Sequence, residues 1–332
     1  MALILIEGFE DQGMGWTASG GTPIQAAAAR TGPSGCRLAN ASNFIYTFPV
    51  AQQSATCILG LAVRFPSPFF TGTNIIRIGF VPSSAGGSSF CDFAVYADGH
   101  ISLVKGGTPT VLASSAAGTV VADTWYYFEL RWFHNTSGSA ELRMNGATLL
   151  TFTGDTLTGA GTAPLLGIRF ENTPAQVLHL DDMYIMNNAS DPFLGDSMVE
   201  TIYPSAPGDT TAWTPSVGTQ NYQTVDEPGT YDPSDYVKAG TSGQRDLYNF
   251  ADLSIITGGI FGVQHVAQAA NIDAAASHSV KLVNHHATDA TQTFTLTTTF
   301  QPLAWVLQND PDTGAAWLAA NVNALQAGVE VV

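Results

Sequence analysis

Residues 125–146 read WYYFELRWFHNTSGSAELRMNG, and this stretch decides the fold. Tyr126, Phe128, Leu130 and Trp132 fall on one parity; Tyr127, Glu129, Arg131 and Phe133 fall on the other. Alternation with period two is the mark of a half-buried strand. Asn135, Ser137 and Gly138 break the run, and a second strand follows, with Ala140, Leu142 and Met144 on one face and Glu141 and Arg143 on the other. Folding the two back on each other through residues 134–138 sets Leu130 opposite Leu142 and Phe128 opposite Met144. The same register sets Glu129 against Arg143 and Arg131 against Glu141. Opposite charges directly across an antiparallel pair contribute roughly 0.2–1 kcal/mol each. A slip by one residue would exchange the buried and solvated faces. Pattern and charge therefore agree on one hairpin, with Phe128, Leu130, Trp132, Leu142 and Met144 inward and the four charged groups expected as a solvated ladder. Asn145-Gly146 supplies the turn that follows.

Outward from this hairpin the chain continues in the same style. Residues 57–65 place Leu59, Leu61, Val63 and Phe65 on one face, and residues 74–81 do the same with Ile76, Ile78 and Phe80. Residues 90–104 alternate Cys91, Phe93 and Val95 and turn at Asp98-Gly99. Residues 165–170 and 177–186 complete a run of short strands whose physical solution is two packed antiparallel sheets. Residues 187–196, NNASDPFLGD, read as a boundary, which places one domain at 1–190 and another at 191–332.

The second half has a different texture. Residues 204–237 are Pro-rich, poor in periodicity and dotted with Trp213, Tyr222, Tyr231 and Tyr236. A loop of that length commonly serves a function or an interface. Strands are expected near residues 246–250, 260–269, 279–284 and 291–299, and again at 302–308. Trp317, Leu318, Val322 and Leu325 recur at helical spacing after Asp312 and Thr313, which predicts a terminal amphipathic helix over 314–327, ended by Gly328. A last strand is expected at 329–332. The helix could cover its own sheet or offer Trp317 to a neighbouring subunit.

The chain has 332 residues, enough for two domains or one large all-β domain. Only 11% of them are charged, against a usual share of about 25%. The net charge of −16 disfavours nucleic acid and anionic membrane surfaces as partners. No stretch approaches the roughly 20 apolar residues of a membrane helix. The start, MALILIEGFE, lacks the pattern of a secretory signal, so synthesis in a cytoplasm is expected. Cys36, Cys57 and Cys91 show no paired framework or metal spacing and read as small buried residues.

Several segments in this order resemble known families. IEGFED, TGPSGCRL, FAVYADGHISLV, the 125–146 hairpin and LHLDDMYIMN resemble the laminin G-like, concanavalin-like jelly rolls over most of residues 1–190. FLGDSMVETIYPSAPGDTTAWTPS, NYQTVDE, RDLYNF and PDTGAAWLAANVNALQAGVEVV look like virion structural proteins of tailed bacteriophages that join such a jelly roll to a C-terminal β domain. The resemblance implies a non-enzymatic component of the particle exterior, a head decoration or a fibre. It would assemble as a homo-oligomer with other virion proteins, the second half anchoring and the first projecting. The alternatives are a carbohydrate-binding adhesin for a host-surface glycan and, behind it, a polysaccharide hydrolase.

No catalytic, cofactor-binding or metal-binding residue is assigned. Asp181 and Asp182 are adjacent on a strand, so their side chains should diverge unless a bulge intervenes. Asp182 shares parity with Leu178, Leu180 and Tyr184. Two carboxylates flanking one groove, as glycoside hydrolysis needs, are not evident. A carboxylate bonded to backbone N–H groups is the expected role. No cofactor is expected; calcium, which some laminin G-like domains bind, would have Asp92, Asp98 and Asp181 as candidate oxygens, without a dense calcium-loop pattern. His265, His285 and His286 lack metal-ligand spacing and read as surface or interface histidines.

Overall fold

The computed structural model of the chain describes residues 2–10, 15–18, 24–39, 43–67, 75–82, 90–158, 164–172, 177–227, 232–255, 258–273 and 277–332. It is an all-β protein in two compact units, Met1–Val199 and Glu200–Val332. The first unit thus reaches nine residues beyond the boundary expected at 190, for a reason given below.

In the first unit, the hairpin of Trp125–Phe133 and Gly138–Met144 has the register read from its alternation and charges. Phe128 pairs with Met144, Glu129 with Arg143, Leu130 with Leu142 and Arg131 with Glu141. The hairpin lies inside an eight-stranded antiparallel sheet, ordered Ala147–Gly154, Gly138–Met144, Trp125–Phe133, Thr56–Arg64, Val177–Met186, Gly35–Ala39 and Ile24–Gln25, with Leu3–Glu7 also paired to Val177–Met186. A second sheet of seven strands runs Thr110–Ser114, Ile101–Lys105, Cys91–Tyr96, Ile75–Val81, Gly167–Asn172, Asn43–Thr47 and Trp16–Ala18.

Alternating side chains from both sheets form one core. Phe128, Leu130, Trp132 and Leu142 are fully buried and Met144 packs at the margin. Phe93 of the second sheet meets Phe128 of the first with ring centroids 4.9 Å apart. Leu59, Leu61 and Val63 and, opposite, Ile76, Ile78 and Phe80 complete it. Cys36, Cys57 and Cys91 are free and buried within this layer. Burial pushes the Cys57 thiol up to about 12, which keeps it an unreactive thiol.

The charged ladder is not solvated as expected. Residues 191–199 cross the outer face of the eight-stranded sheet as a strap. Glu129, 1% exposed, accepts hydrogen bonds from Tyr184 Oη at 2.5 Å and from Gly195 N at 2.8 Å. Arg131 donates to the Asp191 carbonyl, and the Phe193 ring lies under the guanidinium groups of Arg131 and Arg143, at 4.4 and 4.2 Å. Arg143 pairs with Glu141 on its own strand at 2.8 Å. The turn-rich segment that reads as a linker is therefore part of the first unit. Tyr184 lies across Gly60 of the neighbouring strand, where any Cβ would collide with its ring.

The second unit holds a five-stranded sheet, ordered Pro204–Thr211, Arg245–Phe250, Gln326–Val331, Ser279–His285 and Asp289–Thr295. Val263–Ala269 pairs with Gln301–Leu307, and Thr214–Pro215 with Val237–Lys238. The expected loop over 204–237 begins as a sheet strand and contains the 3-10 turn Asn221–Thr224. The expected helix over 314–327 shrinks to Ala319–Asn323, and the chain re-enters the sheet at Gln326. Trp317, Val322 and Leu325 do bury together with Leu307, but as one face of a turn, a short helix and a strand start. Tertiary packing overrides the helical spacing there, because a central strand of the sheet is made from the end of the segment.

Candidate functional site

In the second sheet Cys91, Phe93 and Val95 point inward, so Asp92, Ala94 and Tyr96 line the outer face. Register then fixes their neighbours: Arg77 lies beside Ala94, Gly79 beside Asp92, and Ser102 on the other side of Ala94. Arg169 and Glu171 of the next strand flank Gly79 and Arg77. An outward sheet face is ordinarily wet, but the middle of this one is closed off from solvent. Asp92, Ala94, Ser102 and Val104 are within 1% of full burial, and Arg77 is 8% exposed.

Burial forces the polar groups of this floor to find partners. Arg77 Nε and Nη2 donate to the two oxygens of Asp92 at 2.6 and 3.2 Å, a bidentate pair. Nη2 and Nη1 also donate to the carbonyls of Gly106 and Gly107, at 2.8 and 3.3 Å. The Phe90 ring takes Arg77 at 4.1 Å and Arg169 at 4.5 Å, and Arg169 pairs with Glu171 at 3.2 Å. Burial pushes the Asp92 carboxyl up, while the charge and hydrogen bonds of Arg77 pull it back. At the end of the floor the Tyr96 and His100 rings stack at 4.1 Å with an interplanar angle of 8°. His100 Nδ1 lies 2.5 Å from Asp98 Oδ1, and burial raises the Tyr96 hydroxyl. Ser102 and Ser114 share a hydrogen bond at 2.8 Å. The result is a fixed cation, several hydroxyls and a half-exposed aromatic platform along one sheet face.

Sequence reasoning picked out Asp92 and Asp98 only as possible calcium oxygens and missed the rest. The signal was present: Arg77 and Asp92 are each the single charge, at the outward parity, of strands that are otherwise apolar, and Arg169 and Glu171 share that parity on a third strand. The calcium set does not assemble. Asp92 is taken by Arg77 and Asp98 by His100, and Asp181 lies on the other sheet. Among the described residues no group of three or more His, Cys, Asp or Glu is arranged to hold a metal ion.

Asp181 and Asp182 do sit at a bulge, which the parity argument lacked. Asp181 pairs with Ala62 but Tyr184 with Gly60, so one extra residue is inserted, and Asp182 takes a left-handed φ of 51°. Leu178 and Leu180 before the bulge, and Met183 and Ile185 after it, face the core. Both carboxylates turn to the outer face. Asp181 accepts from the N–H groups of Arg30 and Thr31 at 2.5 and 3.1 Å. Asp182 accepts from Thr31 Oγ1 at 2.5 Å, Val199 N at 2.8 Å and Arg30 Nη1 at 3.1 Å. Burial, and then the neighbouring Asp182, push the Asp181 carboxyl up to about 7. This cluster ties a loop and the strap to the sheet; it leaves no groove between two carboxylates.

Two aromatic candidates of the second unit, Trp213 and Trp317, fold back on their own unit. Trp213 Nε1 donates to the Gln244 carbonyl at 3.0 Å, and its ring packs on Val280, Leu282 and Leu303. Trp317 is 3% exposed and donates to the Leu307 carbonyl at 2.9 Å. Tyr222 and Tyr236 are half-buried, and Tyr231 lies outside the described residues. His285 and His286 pair with Asp289 and Asp312, at 2.7 and 2.8 Å. His265 is half-buried, and its Nδ1 is shut off from solvent without a hydrogen-bond partner among the described residues.

Burial lowers His265 to about 4, below its ordinary value of 6.5. The unfolded chain then binds the proton first, so this contribution to stability is complete above pH 6.5 and is lost as pH falls toward 4. Between those values urea unfolding of the wild type should weaken relative to His265→Gln, by on the order of 2 kcal/mol at the acid end. A constant difference across that range would show that His265 is hydrated.

No family model matches the sequence, and no curated protein matches it. Solved structures are similar to the chain over little more than half its length. They include the endo-β-1,4-glucuronan lyase from the fungus Trichoderma reesei, at 12% identity and TM-score 0.38, covering 57% of this chain and 92% of that one. The alginate lyase of a Chlorella virus gives 11%, 0.42, 56% and 100%, and the cellulose-induced protein Cip1 gives 15%, 0.42, 56% and 98%. By name these are two lyases and a cellulose-induced protein, not phage virion proteins. Two of the three are named as lyases, and the expectation of a chain without enzymatic activity does not stand.

Proposed function

We propose that the Met1–Val199 unit holds a polysaccharide chain along the outer face of its seven-stranded sheet. One observation carries this reading. The buried row of Arg77, Asp92 and Ser102 backs the part-exposed, stacked rings of Tyr96 and His100. Sugars combine apolar C–H faces with hydroxyl rims, so they fit a site that offers a half-exposed aromatic surface beside fixed polar groups. Arg77 is held by four hydrogen bonds and cannot swing away. Preorganisation of that kind lowers the ordering cost of binding. The carbohydrate-active neighbours are in keeping with this reading.

The test is a glycan array on the full chain, followed by affinity measurement on any hit, with Tyr96→Ala and His100→Ala. Each substitution is expected to weaken binding about tenfold or more, as loss of a stacking contact should, while the melting temperature holds. Silence over a broad array, or affinity indifferent to both substitutions, would remove the proposal. The same samples are to be followed by ultraviolet absorbance for unsaturated uronate and by a reducing-sugar assay, which separate lyase and hydrolase action from binding alone.

The resemblance to tailed-phage virion proteins supplies the proposed setting: display on the particle exterior, with the second unit attached to other virion proteins and the first reaching host-surface glycan. Antibody labelling of particles for residues 1–199 is expected to mark the exterior. Labelling only of free protein would rule out that setting.

A further inference from the structure

We propose that the Asp289–Thr295 strand is the surface through which two copies of this chain join, edge to edge and antiparallel. The strand ends the five-stranded sheet, and among the described residues it pairs on one side only, with Ser279–His285. Its seven residues, DATQTFT, pair without a register shift, so no bulge twists the edge away. Natural sheets protect such an edge with charge, proline, a bulge or a cover, because a row of open N–H and C=O groups templates further pairing. Proline and a bulge are absent, and the strand's one charge, Asp289, stands at its first residue. From Ala290 to Asn309 the sequence carries no charged residue. Thr291, Thr293 and Thr295 are exposed and alternate along the strand, and threonine has high strand propensity.

Charge selects the occupant. A net charge of −16 makes two copies repel over most of their surfaces, and this edge is a neutral stretch where they do not. Its one carboxylate, Asp289, is already compensated by Arg245 at 2.6 Å and His285 at 2.7 Å. An antiparallel pairing about a two-fold axis at Gln292 engages all seven residues of each copy. Gln292 then faces Gln292, Thr291 faces Thr293, Ala290 faces Phe294, and Asp289 faces Thr295. The two Asp289 side chains end roughly 20 Å apart, so no like charges meet. The contact is self-complementary, as a two-fold interface requires. Near the strand end Asn271 N bonds the Thr297 carbonyl, and the adjacent Ile272 is 80% exposed, as Phe300 is at 40%. These apolar groups widen the patch beyond the backbone ladder.

Sedimentation velocity on the full chain over a wide concentration range tests this, with Gln292→Lys, Gln292→Glu and their equimolar mixture. The expected result is a concentration-dependent dimer. Either variant alone should weaken it about tenfold or more, because identical charges then meet at the axis; the mixture should restore it. Thr291→Lys provides a second variant should Gln292→Lys lose the native melting transition. Amide exchange of residues 290–295 is expected to slow as concentration rises. A monomer at every concentration overturns the proposal, and so does an oligomer indifferent to these substitutions. Capture of an extended foreign peptide by the edge, without self-association, overturns it too.

Discussion

Replacing Asp92 by alanine should destabilise the first unit by about 3–5 kcal/mol, the cost of leaving one half of a buried ion pair alone. A buried guanidinium has no easily reached neutral form to fall back on. Without Asp92 that of Arg77 would remain at 8% exposure with two carbonyls and the Phe90 ring, none of which carries a compensating negative charge. Asp92→Asn keeps an acceptor and the shape, and is expected to cost about half as much. The double substitution Arg77→Met with Asp92→Leu removes both charges, and should recover most of the loss. Urea unfolding of the four proteins closes the cycle. A loss under about 1 kcal/mol for Asp92→Ala would mean that water reaches the floor, and the preorganisation argued for the sugar site would fall with it.

The second large effect is expected at Asp182. Asp182→Ala removes the acceptor of Thr31, Val199 and Arg30 together, and should cost about 3 kcal/mol. Two causes contribute. The carboxylate is lost, and alanine must adopt the left-handed φ of 51° that aspartate tolerates better. Asp182→Gly keeps the first cause and relieves the second, so the difference between the two variants isolates backbone strain. The distinctive readout is local. Amide exchange should accelerate at residues 28–32 and 195–199, which the bulge ties down, before it changes in the Trp125–Phe133 strand. Uniform acceleration over the whole unit would show that the strap has no local opening of its own.

Burial at the bulge works in the opposite direction to the buried histidine. Asp181, raised to about 7, takes its proton in the folded state first, so lowering the pH from 7 adds stability until the ordinary carboxylate value is reached. His265 in the other unit loses stability over an overlapping range. Asp181→Asn and His265→Gln should therefore change the pH dependence of urea unfolding with opposite sign.

Much of the first unit was legible because its determinants are local. Alternation assigns a face to each residue of a strand, and the side chains opposite each other in a hairpin are set by the same count. The outer polar floor was legible only in pieces. Arg77 and Asp92 stand out as lone charges in apolar strands, but their meeting with each other and with Arg169 depends on pairing between separate strands. The buried role of Trp213 and Trp317 was open to either reading, since an isolated aromatic has the same sequence context in a core as at an interface.

By itself the sequence determined the all-β class, the hairpin register from Phe128–Met144 to Arg131–Glu141, the inward set Phe128, Leu130, Trp132 and Leu142, and the burial of all three cysteines. Each follows from period-two burial and short-range pairing, which a chain cannot evade without exposing its apolar face. Only the tertiary structure decided the bulge at Asp181–Asp182, the strap of residues 191–199 over the charged ladder, and the shortening of the expected terminal helix to Ala319–Asn323, so that the expected last strand begins at Gln326 in the middle of its sheet. In each case the deciding partner lies far along the chain. A single inserted residue reverses every parity after it, a covering segment leaves no periodic trace, and sheet pairing outweighs the local preference of a few residues for a helix.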